Sequence, residues 1–321
     1  STIDIFLPQF REVQILNKNA NKIDQTYTSN NIPTIRQLLL HTAGFTYNSS
    51  DNVIGEEYDK RKIFLPGDTT LEEEIDNISH LPLLFEPGSQ WHYSVSIDIL
   101  ARILEIITKD KLINILRENI FYPLEMHSTD YFIDENQNKT LVETLELSKK
   151  NKKIQNLSLE GRKLINYFYP INNREYSRGG HGLFSTANDY SKFAHMLING
   201  KNTNGKQIIS LETLTNMRSN NLDPKLFPLE ITSVNTIKDE NYINDLDGYG
   251  WGLGFRILMN NTESNKFGNI GEFGWSGYAS TYFLVDPINQ LSAVLMMQII
   301  DGDRLVKQDF YNSIFKNLDS I

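Results

Sequence analysis

Residues 97–107 read Ile-Asp-Ile-Leu-Ala-Arg-Ile-Leu-Glu-Ile-Ile, a run apolar on almost every side of a helix. Ile97, Leu100, Ala101, Leu104 and Ile107 recur at helical spacing, and Ile99, Ile103 and Ile106 fill the flanks. Only the stripe Asp98, Arg102, Glu105 is polar, so the helix has to be sunk in a core and the chain must cover it. Ser96 is a favourable N-cap, and Asp98 falls in the first turn, where negative charge suits the helix dipole. Immediately ahead lies Trp91-His92-Tyr93-Ser94. A phenol held at the positive end of a buried helix is favoured as the phenolate and can serve as a general base. A tyrosine that packs in the core or at its rim fits the same local pattern, and only the rest of the chain can decide.

With 321 residues the chain can bury a large core and form about two lobes. The formal charge of -9 argues against a nucleic-acid binder, since phosphate neutralisation needs clustered Lys and Arg. The basic run Lys149-Lys150-Asn151-Lys152-Lys153 lies in a polar stretch and reads as solvated surface. Cysteine is absent, which excludes disulfides, thiol nucleophiles and thiolate metal sites. No apolar run reaches the roughly 18 residues of a membrane span. The six histidines show no metal-ligand spacing, and no cofactor motif stands up. Gly200-x4-Gly205-Lys206-Gln207 has Gln where a phosphate loop needs Ser or Thr, and it falls between helices.

Pro33-Thr34-Ile35-Arg36-Gln37 starts a helix with a Thr34/Gln37 capping box, and Gly44 is suited to stop it. Pro66-Gly67 and Pro87-Gly88 mark turns, and residues 134–173 read as a polar insertion or cover. Thr186 and Asp189 fit a second capping box, ahead of a helix with Tyr190, Phe193, Ala194 and Leu197 on its apolar face. Ser210 caps another helix, to about Arg218. After Gly248 the rhythm becomes that of strands: Trp251–Met259, Tyr278–Val285 and Leu291–Ile300, the last two joined by the turn Asp286-Pro287-Ile288-Asn289. A helix over about 303–317 closes the chain. The sum is an α+β fold, one domain of two lobes: mostly helical over about 30–245, then sheet and terminal helix over about 246–321.

Four short motifs follow in order: His41-Thr42-Ala43-Gly44, Tyr93-Ser94, Gly179-Gly180-His181-Gly182-Leu183-Phe184-Ser185-Thr186 and Trp275-Ser276-Gly277. This series resembles the serine β-lactamase and penicillin-binding-protein superfamily, in its class C β-lactamase and family VIII carboxylesterase branch. The likeness runs from about Phe6-Leu7-Pro8 to the last helix. It implies an antiparallel sheet flanked by helices beside a mostly helical lobe. It further implies that Tyr93 is the general base toward a nucleophilic serine, and that Trp275, Ser276, Gly277 and His181 line the substrate. The Tyr278 backbone N–H would be an oxyanion donor, and Gly277 would let the carbonyl approach. The substrate implied is a small ester or β-lactam-like molecule, with no cofactor.

Three departures from the family pattern carry information. Trp275 stands where the lactamases begin the third motif with Lys, which pairs with a β-lactam carboxylate. Val95 stands where an Asn would hydrogen-bond an amide. Both changes favour small uncharged esters. The family nucleophile lies in S-x-x-K on a helix well before His-Thr-Ala-Gly, whereas Ser1–Phe10 already resembles the region after that helix. The first strands and the nucleophile helix are therefore expected to be missing from this chain, leaving Tyr93 without a serine to activate. Ser313-Ile314-Phe315-Lys316 has the S-x-x-K form, but on the polar face of the terminal helix, where it is coincidental. Other readings are a non-catalytic binding or scaffold relative and a penicillin-binding or β-lactam-hydrolysing enzyme.

Overall fold

In the computed structural model the chain is described except at residues 49, 65–68, 135–139, 149–150, 152, 160, 163–176, 232–243, 263–264, 266–267, 301–303, 317 and 319–321. The Pro66-Gly67 turn and most of the basic run thus lie outside the described residues. No helix among the described residues is long and apolar enough to cross a membrane. The chain forms two compact units, each built from three stretches.

The first unit takes residues 1–115, 166–182 and 222–246. After two short 3-10 turns, Ile3–Ile5 and Pro8–Phe10, come two short antiparallel strands, β1 (Gln14–Leu16) and β2 (Thr26–Thr28). The Ile35–Leu39 helix follows, and its capping box is complete: Gln37 N–H donates to Thr34 Oγ1 at 3.2 Å, and Thr34 N–H to Gln37 Oε1 at 2.8 Å. The helix stops before Gly44, because His41 itself takes the left-handed conformation at φ 53°. Gly44 has φ 94° for another reason: a Cβ there would meet the Phe85 carbonyl oxygen at 2.6 Å. Helices Val53–Lys60 and Leu71–Ser79 come next, the second with a Thr70/Glu73 capping box.

The Ser96–Thr108 helix is present as the periodicity requires, packed by the Ile35–Leu39 and Leu71–Ser79 helices. Ile99, Ala101 and Ile103 are buried. Two expectations change. The cap residue is Val95, not Ser96, whose hydroxyl is buried against Ser94 Oγ at 2.8 Å. The apolar stripe is covered only in part: Leu104 is 37% and Ile107 54% exposed, since the packed helices meet another side.

The second unit takes residues 116–165, 183–221 and 247–321. Residues 134–173, expected as a plain insertion, contribute two described strands, β3 (Leu145–Leu147) and β4 (Ile154–Asn156). The main sheet is antiparallel with order β5-β6-β7-β8-β9, formed by Tyr249–Trp251, Arg256–Leu258, Phe273–Ser276, Tyr282–Asp286 and Leu291–Leu295. The stretch expected as one strand, Trp251–Met259, is therefore a hairpin, bent at Gly252–Gly254, where Gly254 has φ 95°. β10 (Ile299–Ile300) leaves this sheet and pairs in parallel with β3.

Strand alternation gives the sheet two covered faces. Phe283 meets Tyr190 and Phe193 of the Ala187–Asn199 helix, at ring distances of 5.3 and 6.4 Å. Leu284, its neighbour, packs with Tyr311 and Phe315 of the Arg304–Phe315 helix. The Ala187–Asn199 helix carries only half the expected capping box. Thr186 Oγ1 accepts from Asp189 N–H, but the Asp189 carboxylate turns to Ser128 N–H at 2.7 Å and Thr129 Oγ1 at 3.1 Å. Ser210 caps Leu211–Met217 as expected, and the β8–β9 turn is held by Asp286, whose Oδ1 accepts from Ile288 and Asn289 N–H.

Candidate active site

Tyr93 lies in the stretch that enters the Ser96–Thr108 helix. It is half-buried between two rings, His41 at 4.7 Å and Tyr47 at 5.5 Å, both tilted to it. His41 is anchored from the same stretch: its Nδ1 accepts the Ser94 N–H at 3.3 Å, and its own carbonyl accepts the His92 N–H at 2.9 Å. An Nδ1 that accepts puts the proton on Nε2. Burial, with His92 second, lowers the His41 imidazole to about 3. His92, bonded to Thr46 Oγ1 at 3.0 Å, is lowered by burial to about 4. Both imidazoles are neutral near pH 7, so His41 braces Tyr93 and neither ring supplies a cation.

Behind this stretch lies a buried polar group that sequence reasoning missed. Asp98, expected merely to complement the helix dipole, is wholly buried, and its Oδ1 accepts the Gly180 N–H at 3.1 Å. Burial raises its carboxyl to about 6, opposed by bonds from Gly180 and Gly179 N–H and by the Arg178 charge. Arg178 is also wholly buried; it donates to the Thr69 carbonyl and hydroxyl at 3.2 and 3.1 Å and pairs with Glu74 at 3.5 Å. Its guanidinium lies over the Phe64 ring at 5.7 Å. His181, half-buried, meets the same ring edge-on at 6.1 Å, and burial followed by the Arg178 charge lowers it to about 3. The one legible signal for this group was Arg178 directly ahead of the glycine pair.

In the second unit the Trp275-Ser276-Gly277 motif occupies the end of β7, the middle strand of the main sheet. Trp275 packs edge-on against the buried Trp251 at 4.7 Å. Gly277 N–H donates to the Thr281 carbonyl at 2.8 Å and Ser280 N–H to the Gly277 carbonyl at 3.1 Å, closing a tight turn into β8. A Cβ on Gly277 would stand 2.2 Å from Thr281 Oγ1, so a side chain there would have to displace the Thr281 hydroxyl. Tyr278 tops this turn with its side chain 55% exposed. The expected site residues thus fall into two groups, one in each unit: Tyr93 with His181, and Trp275, Ser276 and Gly277 with Tyr278. Ser313 and Lys316 are exposed, and Ser313 Oγ donates back to the Asp309 carbonyl at 2.6 Å.

A family model described as Beta-lactamase matches residues 23–313. The chain belongs to the β-lactamase family. Its relatives include the lovastatin esterase of Penicillium rubens, 23% identical over 294 residues that cover 88% of this chain and 69% of that protein. The putative D-alanyl-D-alanine carboxypeptidase of Escherichia coli K12 is 24% identical over 301 residues, covering 86% of this chain and 59% of that protein. Among solved structures, unliganded simvastatin synthase (LovD) from Aspergillus terreus matches with a TM-score of 0.75 at 18% identity, over 100% of this chain and 78% of that one. This likeness shows the β-lactamase-type α+β fold. The chain spans 59–69% of the length of these curated relatives. It is similar to hydrolases of the family, esterases among them.

Proposed function

We propose that the protein is a serine hydrolase that works through an acyl-enzyme on small uncharged esters, with Tyr93 as general base. The nucleophilic serine and its lysine partner would belong to an S-x-x-K segment outside residues 1–321, ahead of the His41 motif in the family order. Tyr93 takes the proton from the serine hydroxyl as its oxygen bonds to the ester carbonyl carbon, and passes it to the departing alcohol. Water then releases the acid by the same route in reverse. The Tyr278 N–H donates to the oxyanion, and His181, Trp275, Ser276 and Gly277 line the substrate. An esterase among the relatives supports this class of substrate.

The observation that carries the ester reading is Trp275, an indole packed on Trp251 where the family's lactamases have a lysine. It offers an apolar face to an acyl or alcohol group and no charge to a carboxylate. A carboxypeptidase among the relatives favours peptide amides instead. Against that, Val95 is wholly buried and apolar where an amide-recognising Asn would sit. The test is steady-state turnover by the full-length protein of p-nitrophenyl acetate and butyrate, a chromogenic cephalosporin and a D-Ala-D-Ala peptide. The esters are expected to turn over fastest, and Tyr93→Phe to lower that rate by about 10²–10⁴-fold with an unchanged melting temperature. Faster cephalosporin or peptide turnover would sink the ester reading, and no turnover of any of them would favour a binding relative.

A further inference from the structure

Asp98 stands five residues after Tyr93 on the first turn of the Ser96–Thr108 helix, with no exposure to solvent. A buried carboxyl is costly unless its bonds repay the lost hydration. Here the bond comes from backbone, the Gly180 N–H to Asp98 Oδ1 at 3.1 Å, while Asp98 Oδ2 is buried without a hydrogen-bond partner. Gly179 lies so close to the helix backbone that it cannot carry a side chain, and a side chain on Gly180 would press on the ends of two neighbouring side chains. A Cβ on Gly179 would stand 2.3 Å from the Ile97 carbonyl oxygen and 2.9 Å from Ala101 Cβ. A Cβ on Gly180 would stand 2.9 Å from both Asp98 Oδ2 and the Tyr47 hydroxyl. Tyr47 in turn packs, tilted, against the Tyr93 ring at 5.5 Å. The glycine pair is therefore a wall behind the rings that hold Tyr93, and Asp98 is what ties that wall to the helix.

We infer that Asp98 is a positioning residue: its carboxyl oxygen clamps Gly179–Gly180 onto the first helical turn and so sets Tyr47 and Tyr93 for acyl transfer. The inference rests on the proposed role of Tyr93 as base. It makes a specific chemical demand, for an acceptor and not for a charge. Asparagine keeps an amide oxygen at the same place and satisfies that demand, whereas alanine removes the acceptor to which the Gly180 N–H donates. A residue that acted as acid or base itself would tolerate neither change.

The experiment compares the full-length wild type with Asp98→Asn, Asp98→Ala and Gly180→Ala, reading kcat and KM for p-nitrophenyl acetate from pH 5 to 9. Amide hydrogen exchange at Gly180 is read alongside. Displacing a positioned base by a fraction of an ångström costs on the order of 10²-fold. Asp98→Ala is expected to lower kcat about 30- to 100-fold with KM within about threefold, and to speed Gly180 exchange at least about tenfold. Asp98→Asn is expected to stay within about fivefold of wild type at every pH, with Gly180 still protected. If Asp98→Ala gives no folded protein by near-ultraviolet circular dichroism, Gly180→Ala decides, since it keeps Asp98 but pushes on Tyr47; a fall in kcat with KM held is the supporting result. Wild-type kcat in the variant that decides, or an unprotected Gly180 amide in the wild type, would overturn the inference. So would an Asp98→Asn as inactive as Asp98→Ala. A wild type without ester turnover instead removes the proposed function, and the positioning role with it, while Gly180 protection still reports whether the clamp exists.

Discussion

Replacing Glu272 by Gln should stabilise the protein, and only above a defined pH. Glu272 immediately precedes β7, the strand that carries Trp275, and it is wholly buried. Its Oε1 accepts the hydroxyl of Tyr311 from the terminal helix, Tyr311 Oη meets Tyr249 Oη at 3.1 Å, and Arg256 lies over the Tyr249 ring at 4.7 Å. Burial raises the Glu272 carboxyl from 4.5 to about 7, against the opposing pull of Arg256 and the Tyr311 bond. Between those values the folded protein holds a proton that the unfolded chain has lost. Stability from this group is therefore complete below pH 4.5 and drains away as pH rises through about 7. The interval of about 2.5 pH units, at 1.36 kcal/mol each, is about 3 kcal/mol. Gln fixes the neutral form and still accepts from Tyr311. The stability of Glu272→Gln minus that of wild type should thus grow from near zero at pH 4.5 to about 3 kcal/mol above pH 7. His41, His92 and His181, all lowered by burial, withdraw stability as pH falls below 6.5, but they do so in both proteins and cancel in the difference. Urea denaturation followed by tryptophan fluorescence supplies the numbers, because Trp251 and Trp275 share the unit that holds Glu272. A difference that stays constant from pH 4.5 to 8, or a variant less stable than wild type at pH 8, would refute the reasoning.

Three further outcomes follow from single sites. The His41 ring, buried with Nδ1 bonded to Ser94 N–H, should show no NMR titration between pH 8 and pH 5, with a midpoint near 3; a midpoint near 6.5 would contradict its burial. Thr34→Ala removes one arm of a complete capping box and should cost about 1 kcal/mol in denaturant titration, and a cost below about 0.3 kcal/mol would discount the box. Asp286→Ala leaves Asn269, Asn289 and the N–H groups of Ile288 and Asn289 without their buried acceptor. It should lower stability by about 3 kcal/mol or more, and a melting temperature equal to wild type would dismiss that hub.

What could be read from sequence was what depends on near neighbours. The Thr34/Gln37 box and the Ser210 cap are closed within three residues, and the Asp286 turn that joins β8 to β9 within five. The Ser96–Thr108 helix was legible because its period is written into eleven consecutive residues. The misread details are those where a distant group wins. Ser96 looks like a cap, but Ser94 takes its hydroxyl inward. Asp98 looks like a dipole partner until Gly180, 82 residues on, claims its oxygen. Thr186–Asp189 looks like a full box, but Ser128 supplies a better donor for the carboxylate. The aromatic residues around Gly252–Gly254 hid a hairpin inside an apparently continuous strand. The same limit applies to the site. Tyr93 could be singled out by the motifs around it, whereas its ring neighbour Tyr47 and the Asp98–Gly180 clamp exist only through folding.

The central claim is that Tyr93 serves a serine that becomes acylated. Its most direct test is intact-mass spectrometry of the full-length protein, wild type and Tyr93→Phe, quenched during turnover of p-nitrophenyl butyrate, with peptide mapping of any adduct. A single butyryl adduct is expected on the serine of an S-x-x-K segment outside residues 1–321, and none in Tyr93→Phe. An adduct on a serine within these residues, an equal adduct in Tyr93→Phe, or ester turnover with no covalent intermediate at any quench time would contradict it.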